Sequence, residues 1–196
     1  MNQEAVAMQE DWSKYVENLG RILEKMECTD ESGAVVCSGD GFAGWQSAAD
    51  TVRAKRGRVY FIGNGASASM ASHFAADLSK NGRIKTETFC DLSLMTAVSN
   101  DINYEQVFAE PLRLRAEPGD MLVAISSSGK SPNVVAAANV ARQCGLQIVT
   151  LSALSPSNPL RQLGWLNFYV AANTYGFAET AHAAILHHWM DMMQLN

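Results

Sequence analysis

Five short β-rich runs, "RVYFIG", "RIKTETF", "DMLVAIS", "LQIVTLS" and "LNFYVA", are separated by helical patterns such as "SASMASHFAADLSKN" and "SPNVVAAANVARQCG". Strands this apolar offer no polar face to water, so helices must cover them on both sides. The expectation is an α/β fold, a doubly wound parallel five-stranded sheet flanked by helices. A further helix precedes it. Between residues 9 and 27, Trp12, Tyr15, Val16, Leu19, Ile22, Leu23 and Met26 recur at spacings of three and four and draw one apolar stripe in need of a partner. The turn-rich stretch "ECTDESGAVVCSGDGFAG" is left unassigned, and helical composition resumes at "WQSAADTVRAKRG". This gives an N-terminal helical extension over 1–43 and a main domain over 44–196.

The chain has 196 residues, 47% of them hydrophobic, enough for one well-buried core, and no linker-like stretch divides it. Its formal net charge of −5 comes without a basic run, which argues against nucleic-acid binding and requires any anionic ligand to be attracted locally. Cys28, Cys37, Cys90 and Cys144 are scattered and fit neither a zinc CxxC pair nor a disulfide framework. No stretch approaches 18 apolar residues, and the N-terminus lacks a basic start followed by an apolar run. A soluble, cytoplasmic protein without membrane contact is expected.

In a doubly wound fold, ligands sit beyond the carboxyl ends of the strands. Those ends carry "GNGASAS", "SSSGKSPN" and "NTYGFAETAH", all polar, small and glycine-bearing. A nucleotide P-loop ending at Gly129, Lys130 and Ser131 would need a glycine where Ala124 stands, so that match fails. Gly63, Gly65 and Ala68 fit G-x-G-x-x-A, with Glu87 roughly where a ribose-binding acid belongs. Alone that match is weak, and a loop whose free amides hold a phosphate or sugar hydroxyl is the favoured reading, ahead of a plain tight turn. Ser126, Ser127, Ser128 and Ser131 place four hydroxyls before Pro132, suiting a compact tetrahedral anion, with Lys130 in support. Helix capping would explain only one of those hydroxyls.

His73 and Asp77, four apart on one helix, share a face and can converge on a metal ion or a substrate. Glu179 and His187 lie on the last helical pattern, about 12 Å apart along a helix axis. His182 is a possible outer group and His188 a bystander.

Taken together, "FIGNGASASMASHFAADL", "AVSNDINYEQVF", "GDMLVAISSSGKSPNVVAAANVARQCG" and "YGFAETAHAAILH" resemble the sugar isomerase (SIS) domain family, and within it the phosphoheptose isomerases. The resemblance runs from about residue 40 to the C-terminus and implies a flavodoxin-like sheet. It assigns substrate binding to Asn64, Gly65, Ala66, Ser67, Asn100, Asp101 and Glu179, and phosphate binding to Ser126, Ser127, Ser128 and Ser131. It places a metal, zinc by preference, on His73, Asp77, Glu179 and His187. Asp77 stands where those enzymes carry a catalytic glutamate, Glu179 where they carry a glutamine, and "GNGAS" where they have "GNGGS".

The implied activity is aldose–ketose isomerisation of a sugar phosphate, most specifically a phosphoheptose of the sedoheptulose 7-phosphate type. Asp77 would be the base, and His187 the acid/base and metal ligand. The resemblance also implies a homotetramer with sites between subunits. A non-catalytic SIS module binding a phosphosugar or a partner protein is the alternative, and a dinucleotide-dependent oxidoreductase comes third because it leaves the serine loop without a task.

Overall fold

The computed structural model describes residues 11–193. Helix α1 (Trp12–Glu24) leads to strands β1 (Glu27–Asp30) and β2 (Val35–Val36), then α2 (Ser38–Ala54), β3 (Arg58–Gly63), α3 (Ala66–Lys80) and β4 (Lys85–Glu87). The chain continues through α4 (Leu92–Asp101), α5 (Ala109–Arg115), β5 (Met121–Ser126), α6 (Pro132–Gln143), β6 (Gln147–Ala153), β7 (Leu166–Val170) and α7 (Tyr175–Met192). Residues 9 and 10 of the expected first helix lie outside the described residues.

The five expected strands form and pair in parallel, in the order β7-β6-β5-β3-β4. Taken in chain order and read from β4, this is the flavodoxin-like arrangement, with β3 at the point where the order reverses. Two strands were not foreseen. β1 and β2 form a hairpin that joins the sheet antiparallel at β7, making seven strands. Its turn is held by the Asp30 carboxylate, which accepts from the Ser32 N–H at 2.9 Å and the Ala34 N–H at 3.0 Å. The 1–43 extension is therefore not wholly helical, and part of it belongs to the main sheet. Runs of four and two residues are too short to show a period-2 pattern, which is why the hairpin was not legible.

Both faces of the sheet are covered. One layer packs α2, α3 and α7 against the sheet around Trp45, Phe61, Phe74, Phe168 and Trp189, with the Trp45 and Trp189 rings stacked 4.1 Å apart. The other packs α4, α5 and α6 around Tyr60, Phe108, Leu112 and Ile148. α1 adds to the first layer through Leu19, Ile22 and Leu23 and through Tyr15, which stacks on Phe177 of α7 at 4.5 Å. Met26 packs there too, whereas Trp12 remains 73% exposed and Val16 50%.

Because β4 lies on one side of β3 and β5 on the other, the loops leaving β3 and β5 diverge above the sheet and open a crevice between them. The functional loops of the sequence flank this crevice.

Candidate functional site

Two close approaches shape the crevice, and each needs glycine. A Cβ on Gly63 would fall 2.6 Å from the Ser67 Cβ and 2.9 Å from the Ile125 carbonyl, so only glycine lets the first turn of α3 press against β5. Gly129 has φ +61°, and a Cβ there would fall 1.9 Å from the Asn158 Oδ1. Any larger residue would break the serine turn.

The resulting cavity is about 270 Å³. Asn64, Gly65, Ala66 and Ser67 form one wall, and Ser126, Ser127, Ser128 and Ser131 form the other. Tyr175 and Glu179, from the first turns of α7, close the third side. Three helices thus begin at one cavity and turn the positive ends of their dipoles towards it. The Ser67 N–H is taken by the Asn64 carbonyl, the Val134 N–H by the Asn133 Oδ1 and the Phe177 N–H by the Thr174 Oγ1. Among the described residues no lysine or arginine lines the cavity, and Lys130 is exposed outside it. An anion here would be held by dipoles and hydroxyls, as an acidic chain requires.

The hydroxyls of the serine turn differ in their partners, and that of Ser128 accepts the Lys130 N–H at 3.2 Å. Ser131 occupies the N-cap position of α6 yet makes no capping bond, and its Oγ lies 3.1 Å from that of Ser126. The Ser127 hydroxyl is buried with no hydrogen-bond partner among the described atoms. A buried polar atom without a partner costs free energy, and in a cavity wall it is what a phosphate oxygen would satisfy.

Asn64 joins its wall to the start of α6. Its Nδ2 donates to the Asn133 Oδ1 and its Oδ1 accepts from the Asn133 Nδ2, both at 2.9 Å. The Tyr104 hydroxyl donates to the same Asn64 oxygen at 3.2 Å.

The remaining predicted residues fall elsewhere. Asn100 and Asp101 end α4 and bond to each other at 2.8 Å without lining the cavity. Glu87 is held by Arg58 at 3.7 Å and by Arg115, so it is engaged away from the crevice and offers no ribose acid. On α3, the His73 Nε2 lies 3.4 Å from the Asp77 Oδ2, and the His73 and His187 rings are 5.7 Å apart. This cluster is separate from the cavity, since Asp77 lies eleven residues, about 16 Å of helix, beyond Ala66. Among the described residues, Glu179 is the only carboxylate on the cavity wall.

Two imidazoles and two carboxylates are donors that zinc accepts. Among the described residues, however, no three His, Cys, Asp or Glu side chains gather into a group able to hold an ion. Within one chain the arrangement does not fit a metal. His182, between Glu179 and His187 on α7, is fully buried, and burial pushes its pKa down to about 4.

Sequence reasoning missed Tyr175, Asn133 and Tyr104. The first two lie inside the loops "NTYGFAETAH" and "SSSGKSPN", so position beyond a strand end was the available signal. A larger cavity of about 470 Å³, between α1 and the loop after β7, shares no lining residue with the crevice and contains none of the predicted site residues.

The SIS domain family model matches residues 14–153. The chain belongs to the SIS domain family, on its phosphoheptose isomerase-like branch. It is 32% identical over 146 residues to the phosphoheptose isomerase of Syntrophotalea carbinolica, covering 70% of this chain and 73% of that one. It is 34% identical over 150 residues to that of Campylobacter concisus, covering 72% and 77%. Among solved structures, the phosphoheptose isomerase of Neisseria gonorrhoeae superposes with a TM-score of 0.77 at 23% identity, covering 92% of this chain and 96% of that one. That of Francisella tularensis gives 0.78 at 21%, covering 94% and 96%. At these identities the structures bear on the fold, and the fold of this SIS domain is theirs. The family match also crosses residue 43, so the expected boundary there falls within the matched region.

Proposed function

We infer that this chain is a sugar-phosphate isomerase acting on a phosphoheptose. The observation that carries the reading is the crevice, in which the serine loop and three helix N-termini make an anion site in a chain whose curated relatives are phosphoheptose isomerases. The phosphate would sit among Ser126, Ser127, Ser128 and Ser131, and the sugar along the wall from Asn64 to Ser67 towards Glu179. Isomerisation then needs one group to move a proton between adjacent carbons and another to move one between their oxygens. Asp77 is proposed as the base and His187 as the acid/base partner.

In a single chain those two side chains stand apart from the crevice. Self-association, as a tetramer, is proposed to bring the cluster of one copy to the crevice of another, and the uncovered Trp12 and Val16 are suited to an interface. Zinc is proposed on the same terms, from His73, Asp77, Glu179 and His187. When bound it would supply Lewis-acid stabilisation of an enediolate. Elemental analysis after zinc loading, with a His187→Ala control, tests the metal independently of turnover. Sedimentation tests assembly, with a species above the 21.3 kDa chain expected.

The deciding experiment is incubation with a panel of ketose and aldose phosphates followed by NMR. Conversion of a phosphoheptose is the expected result. Tight binding without conversion of any member would replace the enzyme by a binding module.

A further inference from the structure

The two walls of the crevice belong to segments 69 residues apart in sequence. The ladder between β3 and β5 fixes their strands as far as Gly63 and Ile125, but the loops beyond carry no ladder. Among the described residues, the only side-chain hydrogen bonds joining these walls are the two between Asn64 and Asn133. Asn133 is 1% exposed, and its Oδ1 also accepts the Val134 N–H at 3.0 Å, which fixes its rotamer.

A side-chain amide has two N–H donors and two acceptor lone pairs. On Asn64, one N–H goes to Asn133, and the oxygen takes Asn133 and the Tyr104 hydroxyl. One N–H is left for a ligand. We propose that Asn133 is a positioning residue that sets the distance between the sugar wall and the phosphate wall and turns the remaining Asn64 N–H towards the substrate. The proposal rests on the phosphosugar reading of the crevice. It follows that Asn133 acts without touching the substrate, and that losing either amide strands the other, because both depend on the same pair of bonds.

The test compares Asn133→Leu, Asn64→Ala and the double variant. kcat/KM for a phosphoheptose should fall at least about tenfold in each single variant, more through kcat than KM, because a misplaced substrate still binds. Inorganic phosphate affinity should change less than about twofold, and the double variant should be within about twofold of the worse single. Where Asn133→Leu does not fold, Asn133→Ala, which removes both bonds to Asn64, replaces it with the same expectation. In NMR, the Asn64 Nδ2 proton bonded to Asn133 should exchange slowly in the wild type and fast once Asn133 is replaced. Wild-type kcat/KM in the Asn133 variants, additive losses, or a parallel loss of phosphate binding would overturn the proposal. If the wild type converts no phosphoheptose, the functional reading alone fails. Proton exchange then decides the positioning role, and fast exchange in the wild type rejects it.

Discussion

Helices α3 and α7 lie side by side in one layer and carry two sites of different kinds. At their N-terminal ends the crevice is small, polar and closed on three sides by one chain. Two to three turns along, His73, Asp77 and His187 form an open cluster with both imidazoles exposed. The crevice is made largely of main-chain geometry, from helix starts, a left-handed glycine and serine hydroxyls, and such features are complete as soon as the fold is. The cluster is made of side-chain tips on an outer surface, which the fold of one chain does not force together.

The comparison can be broken most decisively by asking which region holds the base. His187→Ala and Asp77→Asn should each reduce isomerisation about 10²–10⁴-fold while leaving inorganic phosphate binding intact. Glu179→Gln should cost less. If the Glu179 variant is the more damaged, the base lies in the crevice, and the division of labour between the two regions is wrong.

The next largest effect separates two histidines of one helix. His182 is depressed to about 4 by burial, against an unfolded value of 6.5. Above pH 6.5 it is neutral in both states and contributes nothing to the pH dependence. As pH falls, the unfolded chain takes up a proton that the folded chain refuses until about pH 4, so stability is lost across that window. The stability difference between the wild type and His182→Leu should shift by about 3 kcal/mol between pH 7 and pH 4 in urea titrations. A pH-independent difference would show that His182 is not buried as neutral imidazole.

Within the crevice, Ser127→Ala should weaken phosphosugar binding by about 1.5–3 kcal/mol, the range for hydrogen bonds to charged groups, with thermal stability unchanged or raised. Its hydroxyl has no other partner to lose. Ser131→Ala should cost about 1 kcal/mol, since a neighbouring hydroxyl can take over part of its contact. Calorimetric titration separates these outcomes. The smallest effect is expected at Trp12. Being mostly exposed, Trp12→Ala should alter the stability of the isolated chain by no more than about 0.5 kcal/mol, yet loosen an assembly seen by sedimentation.

Much of this was legible without a structure. Strand and helix periods placed all five parallel strands, and the polar stretches at their carboxyl ends named both walls of the crevice, since ligands in such sheets gather there. The serine loop was readable as more than a cap because four hydroxyls cannot all cap one helix. The hairpin of β1 and β2 was not readable, for its stability lies in pairing with β7, some 140 residues away in the chain. Nor was the engagement of Glu87 by Arg58 and Arg115, which turns a candidate ribose ligand into an ion-pair partner.

Local chemistry thus determined which residue types stand beyond each strand, because periodicity, glycine and hydroxyl placement act over a few residues. Only the tertiary structure decided which of them meet. It paired Asn64 with Asn133, buried His182 and left His187 exposed on the same helix, and set Glu179 in the crevice and Asp77 outside it. Helix packing and the reversal of strand order at β3 bring distant segments to fixed separations, and no spacing along the chain records those distances.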